Sequence, residues 1–185
     1  MLEEIYDDAR QRMTDTIDHF KRDLSTVRTG RASASLLDNI RVMYYGTPTP
    51  INRVATVSTP ESNLIVIQPW DQSQLAEIEK ALMKSDLGLT PNSDGKIIRL
   101  VVPQLTEERR IQLVKMINKQ SEDIRIAIRN IRRDANDMIG ELQKAKEITE
   151  DNEHRGYGEV QKITDKAIAR VDELFKLKEK EILST

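Results

Sequence analysis

Residues 106–147 read TEERRIQLVKMINKQSEDIRIAIRNIRRDANDMIGELQKAKE, and the fold turns on how they are read. Apolar or small residues recur at Leu113, Ile117, Ser121, Ile124, Ile128, Ile131, Ala135, Met138, Leu142 and Ala145. From Ile117 onward the steps alternate between four and three, the spacing of a heptad seam. No proline interrupts the run, and its only glycine is Gly140. The stretch therefore predicts one helix of roughly 63 Å, at ~1.5 Å per residue. A second pattern overlies the first: Arg125, Arg129, Arg132 and Arg133 share a face centred roughly 115° around from the seam, at ~100° per residue.

A helix with an apolar stripe needs a neighbour to cover it. Upstream, Leu2, Tyr6, Ala9, Met13, Thr16, Phe20, Leu24 and Val27 repeat at steps of three and four. That predicts a second long helix, ending at Thr29-Gly30, where glycine suits the left-handed position past a C-terminus. Downstream, Thr149 is expected to cap a third helix from about Glu150. Its stripe is Val160, Ile163, Ala167, Ile168, Val171, Leu174, Phe175 and Ile182. Gly156 and Gly158 should fray or bend its start, at about 1 kcal/mol each relative to alanine. Three stripes of similar length close as a three-helix bundle, the second and third helices antiparallel across a short turn.

Between the first two long helices the character changes. Ser33–Asp38 is expected as a short helical turn. Strands are expected at 40–45, 54–58, 64–68 and 97–102, and a helix at 74–84. The segment Gly46-Thr47-Pro48-Thr49-Pro50 predicts a turn or rigid link, and residues 91–95 a loop. The predicted fold class is α+β: a discontinuous bundle domain, 1–30 with 105–185, and an inserted α/β domain, 31–104. Two crossings join them, with hinges expected at Gly30 and Arg31 and at Pro103 and Gln104. A double linker should resist twisting more than bending.

Composition narrows the function. With 32% charged and 4% aromatic residues, solvated helices are favoured over an aromatic β core. No cysteine is present, so disulfide and thiol chemistry are excluded. The acidic start Met1-Leu2-Glu3-Glu4 is neither a signal peptide nor a basic transit sequence, and no apolar run approaches a membrane span, so a cytoplasmic protein is expected. The net charge of −2 hides an asymmetry. Residues 105–133 hold eight basic against four acidic side chains, and 134–185 hold nine against thirteen.

No catalytic or metal-binding constellation stands out, and no cofactor is expected. His19 and His154 lie on polar helical stretches and read as solvated or structural. The stretch from Gly88 to Lys96 imitates a phosphate loop, but its glycine spacing is wrong and it precedes a strand, so nucleotide hydrolysis is not expected. The arginine row has two readings. It is a solvated face paired with a neighbouring helix, or an anion-binding face. Four arginines without an acid between Ile124 and Arg133 suit bidentate phosphate contacts and the backbone and shape of folded RNA.

Five blocks in order resemble the bacterial ribosome recycling factors: Arg28-Thr29-Gly30-Arg31-Ala32, Tyr44-Tyr45-Gly46-Thr47-Pro48-Thr49-Pro50, Ser85-Asp86-Leu87-Gly88, Leu105-Thr106-Glu107-Glu108-Arg109-Arg110 and Arg129-Asn130-Ile131-Arg132-Arg133-Asp134. The resemblance spans nearly the whole chain. It implies an L-shaped, tRNA-sized monomer that is not an enzyme. Such a factor binds post-termination ribosomes and, with elongation factor G and GTP, splits them into subunits so that mRNA and tRNA are released. It implies that the bundle lies on large-subunit ribosomal RNA and the inserted domain faces the small subunit. Residues matching RNA contacts are Arg129 and Arg132, then Arg110 and Arg133, then Arg28 and Arg31; Arg125 joins them by its place in the row. Gln104 stands where many members carry a second proline, and Gly156-Tyr157-Gly158 is an unusual start to the last helix. A coiled-coil adaptor for partner helices is the competing reading, and an enzyme a distant third.

Overall fold

The computed structural model describes residues 1–184. The chain runs α1 (Leu2–Thr26), β1 (Arg41–Tyr44), β2 (Thr47–Pro50), β3 (Ala55–Glu61), β4 (Leu64–Pro69), α2 (Leu75–Lys84), β5 (Pro91–Ser93), β6 (Ile98–Val101), α3 (Glu107–Lys144) and α4 (Glu150–Leu183). It divides into two compact units, residues 1–28 with 107–184, and residues 29–106.

In the first unit α1, α3 and α4 each pack on the other two. α1 buries Tyr6, Ala9, Met13, Phe20 and Leu24, and α4 buries Val160, Thr164, Ala167, Val171, Leu174 and Ile182. Ser121 and Thr164 enter this core without orphaned hydroxyls. Ser121 donates to the Asn118 carbonyl at 2.7 Å and Thr164 to the Val160 carbonyl at 2.8 Å. The seam of α3 departs from the strict heptad. Ile139 is fully buried, whereas Met138 is 44% exposed and Ala145 is exposed. The buried line runs Ile128, Ile131, Ala135, Ile139. A straight helix drifts about 20° per heptad from a 3.5-residue repeat, and over the two heptads past Ile124 that drift, about 40°, brings Ile139 nearer the stripe than Met138.

α4 is continuous through both glycines, against the expected bend. Gly156 is buried, and a Cβ there would lie 3.2 and 3.3 Å from the side-chain carbons of Ile139. The missing side chain is the seat for Ile139. Gly140 reciprocates: a Cβ there would lie 3.2 Å from the Tyr157 hydroxyl, which donates to Glu153 at 2.7 Å. α3 ends in a Schellman motif, with the Glu147 amide on the Leu142 carbonyl and the Lys146 amide on the Gln143 carbonyl, both at 2.9 Å. Thr149 then caps α4, its hydroxyl accepting from the Asn152 amide at 3.3 Å.

The second unit holds a β1–β2 hairpin and an antiparallel sheet in the order β3-β4-β6-β5, with α2 packed against β1 and β5. Two expectations are corrected here. Residues 47–50 form a strand, because Pro48 and Pro50 alternate with Thr47 and Thr49 on a strand paired on one side only, so the missing N–H groups face away from β1. Residues 91–93 also form a strand, paired with β6. The turn between them belongs to Asp94, whose carboxylate accepts the Lys96 and Ile97 amides at 3.0 Å each. Those amide bonds, Ile97 foremost, hold the Asp94 carboxyl below its usual range. At the end of this phosphate-loop lookalike the Lys96 amide is thus occupied by the loop's own carboxylate, and the Gly95 amide by the Ser93 hydroxyl at 3.2 Å. Val42, Ile65, Ile67, Ile78, Ile98 and Leu100 form the fully buried centre.

Candidate nucleic-acid interface

Arginines reach the bundle surface because α3 is uninterrupted over Glu107–Lys144 and is buried along only one stripe. The structure sorts the seven candidate arginines by what they touch. Arg125 is drawn inward, its side chain only 18% exposed. Its Nε and Nη2 donate to Asp172 of α4 at 3.0 and 2.6 Å, and its Nη1 donates to Glu122 at 3.1 Å and to Ser121 at 3.3 Å. Burial lowers the basicity of this guanidinium, and the bonds to Asp172 and Glu122 outweigh it, leaving the pKa above the ordinary value. Arg125 fastens α3 to α4; its place in the row does not make it an outward-facing cation.

Arg129 stays half exposed, with one nitrogen on Glu122 at 3.0 Å. The hydrogen bonds of Arg129 and then Arg125 hold the Glu122 carboxyl below its usual range. Arg132 leans toward α4, its Nη1 at 3.4 Å from the Gln161 side-chain oxygen. Arg133 is exposed. Arg110 is half-buried, and its Nε is enclosed without a hydrogen-bond partner among the described residues. Arg28 and Arg31 are exposed, Arg28 at the end of the bundle unit and Arg31 in the inserted unit. Within α3, then, the structure groups Arg129, Arg132 and Arg133 as outward cations.

Arg12 of α1 was not among the candidates, and it bonds Asp134 at 2.7 Å, a hydrogen bond that raises its pKa. Asp134 is next in sequence to Arg133, so the row is bounded by an ion pair on its α1 side. Glu122 could have been found, since it stands three residues before Arg125 and seven before Arg129, one face of a helix.

The hinge candidates lie in the inserted unit. Gly30 adopts φ +71°, and a Cβ there would meet Leu105 at 3.0 Å and the Pro103 carbonyl at 3.3 Å. Gly30 and Pro103 are therefore brought side by side, while Arg31 and Gln104 are exposed beside them. His19 pairs with Asp23 at 3.1 Å on the surface, and His154 is exposed. Among the described residues, no group of three or more potential ligands could hold a metal ion. No described helix is long and apolar enough to cross a membrane.

A family model described as ribosome recycling factor matches residues 20–183. The chain belongs to the ribosome recycling factor family. A relative named ribosome-recycling factor from Desulfatibacillum aliphaticivorans is 55% identical over 99% of both chains. Another of that name from Carboxydothermus hydrogenoformans is 54% identical over the full length of both. Among solved structures, a solution structure of the ribosome recycling factor matches with a TM-score of 0.80 at 43% identity, covering all of this chain and 98% of that one. A second is a model of the T. thermophilus ribosome recycling factor and E. coli elongation factor G bound to the E. coli post-termination complex. It matches with a TM-score of 0.65 at 44% identity, over 99% of each chain. The α+β architecture, three long helices with an inserted antiparallel sheet unit, is that of the family.

Proposed function

We propose that this protein recycles ribosomes: it binds the post-termination ribosome and, together with elongation factor G, separates the subunits so that mRNA and tRNA are released. The observation that carries this is the full-length membership in the ribosome recycling factor family, including a solved relative bound with elongation factor G to a post-termination complex. The reading makes the protein a non-enzymatic factor of the cytoplasm, with GTP hydrolysis left to elongation factor G. The outward arginines of α3 suit phosphates of large-subunit ribosomal RNA: guanidinium forks recognise phosphate oxygens bidentately. The residues proposed to touch RNA are Arg129, Arg132 and Arg133, then Arg110, Arg28 and Arg31. The inserted unit then faces the small subunit and bends about the paired crossings near Gly30 and Pro103. The adaptor alternative has no observation in its favour once the family is assigned.

The test is Arg132→Glu, measured by co-sedimentation with post-termination ribosomes and by subunit splitting with elongation factor G and GTP. Affinity should fall on the order of tenfold at ~0.1 M salt, and the salt dependence should become shallower by about one phosphate contact. Unchanged affinity and splitting would remove the arginine face from the mechanism.

A further inference from the structure

Glu122 occupies an odd position for an interface that must bind an anion. Its carboxylate lies among the cations, and its two oxygens are divided between them, Oε2 to Arg125 at 3.1 Å and Oε1 to Arg129 at 3.0 Å. One end of this arrangement is fixed. Arg125 is also held by Asp172 from the neighbouring helix, so a chain of contacts runs Asp172–Arg125–Glu122–Arg129 from α4 across to the arginine row of α3. The other end is open. Glu122 and Arg129 are each about half exposed, at 49% and 46% of their side-chain surface.

We infer that Glu122 is a specificity-determining and positioning residue of the RNA-facing surface. This rests on the recycling-factor reading above, in which Arg129 meets ribosomal phosphate. A mobile or poorly matched phosphate must compete with the Glu122 carboxylate for Arg129, and it gains little by displacing it. A phosphate held in place by folded RNA can bind the remaining nitrogens of Arg129, which Glu122 keeps in one orientation. The carboxylate thus lowers binding to polyanions at large while preserving binding to the one surface whose geometry fits. That is discrimination by a built-in competitor. An exposed ion pair is a weak competitor, which suits a contact that must be reversible.

The experiment compares Glu122→Gln with the unaltered chain on two targets, post-termination ribosomes and a homopolymer RNA such as poly(U). Each affinity is read across a salt series. Glutamine keeps the size and removes the charge. Removing the competitor should raise poly(U) affinity about threefold. It should steepen the salt slope by about 0.7, one further single-strand phosphate. Ribosome affinity gains the same charge effect but loses the orientation of Arg129, and ordering one such side chain is worth a few-fold. The ratio of ribosome to poly(U) affinity should therefore drop about threefold or more. A ratio that stays the same or rises overturns the inference. Glu122→Asp supplies the second arm, keeping the charge on a stem too short to span both guanidiniums. Poly(U) binding should then rise less than with Glu122→Gln, because the charge stays beside Arg129, while ribosome binding weakens; a poly(U) gain equal to or above that of Glu122→Gln would overturn the competitor role. Arg132→Glu run alongside separates the two levels. If it leaves ribosome binding intact, the interface reading fails. If it weakens binding while the Glu122→Gln ratio is unchanged, only the role of Glu122 fails.

Discussion

Lys146 carries a backbone conformation that its own side chain disfavours. It sits at φ +58° as the left-handed residue of the Schellman motif closing α3, a place glycine usually fills. An L-residue there costs roughly 1 kcal/mol, partly offset by a cation near a helix C-terminus. Lys146→Gly should therefore stabilise the protein by about 0.5–1 kcal/mol, measured by urea unfolding. A loss of stability would show that the lysine side chain contributes more than the strain it brings. The same scale decides the interface. Arg125 and Arg129 look equivalent in the sequence, four residues apart on one face. They differ because Asp172, 47 residues downstream, reaches only the first. Spacing along one helix identifies which cations share a face, but not which of them a second helix will draw inward.

The glycines of α4 show how an element reads differently by itself and in contact. Both Gly156 and Gly158 look like defects by helix propensity, and the expected fraying follows from that measure alone. Packing separates them. Gly156 receives Ile139, while nothing lies within 4 Å of a Cβ at Gly158. Gly158→Ala should stabilise by about 0.5–1 kcal/mol, the plain propensity gain. Gly156→Ala gains the same propensity but crowds two carbons of a fully buried isoleucine, and overpacking costs roughly 1–3 kcal/mol. The net change should be neutral to destabilising, by up to about 2 kcal/mol. Thermal unfolding of the two variants side by side checks it, and an equal gain in both would refute the notch. Much of the architecture is legible in the sequence: three long stripes, the insertion and most strands follow from period and punctuation. The strands at 47–50 and 91–93 did not. Prolines and short polar residues signal a link until a partner strand supplies the pairing that tolerates them. The seam was legible to Ala135 and then missed by one residue, because the helix keeps its own period rather than the heptad's.

At the scale of the molecule, one chain makes two units by leaving the bundle after Arg28 and returning at Glu107. The two crossings are fastened to each other on the inserted unit's side. The Ala32 amide donates to the Ser62 carbonyl at 2.7 Å, and the Val102 amide to the next carbonyl, Asn63, at 2.8 Å. Both ends of the insertion thus bind the same turn between β3 and β4, and Gly30 lies against Pro103 and Leu105 just outside that pair. A closed loop of this kind does not need the bundle to hold its ends together. Its core is also its own, with Leu37, Val42, Ile51, Ile65, Ile67, Ile78, Leu82, Ile98 and Leu100 each at most 2% exposed. Residues 29–106 excised as a fragment should therefore fold. The expected result is a dispersed amide spectrum and a single cooperative urea transition; at this size a stability of only about 3–5 kcal/mol is anticipated. The excised fragment should still fail to bind ribosomes tightly, because the α3 arginines are absent from it. A collapsed spectrum would mean that the inserted unit depends on the bundle for its structure, and that the two crossings transmit stability as well as motion.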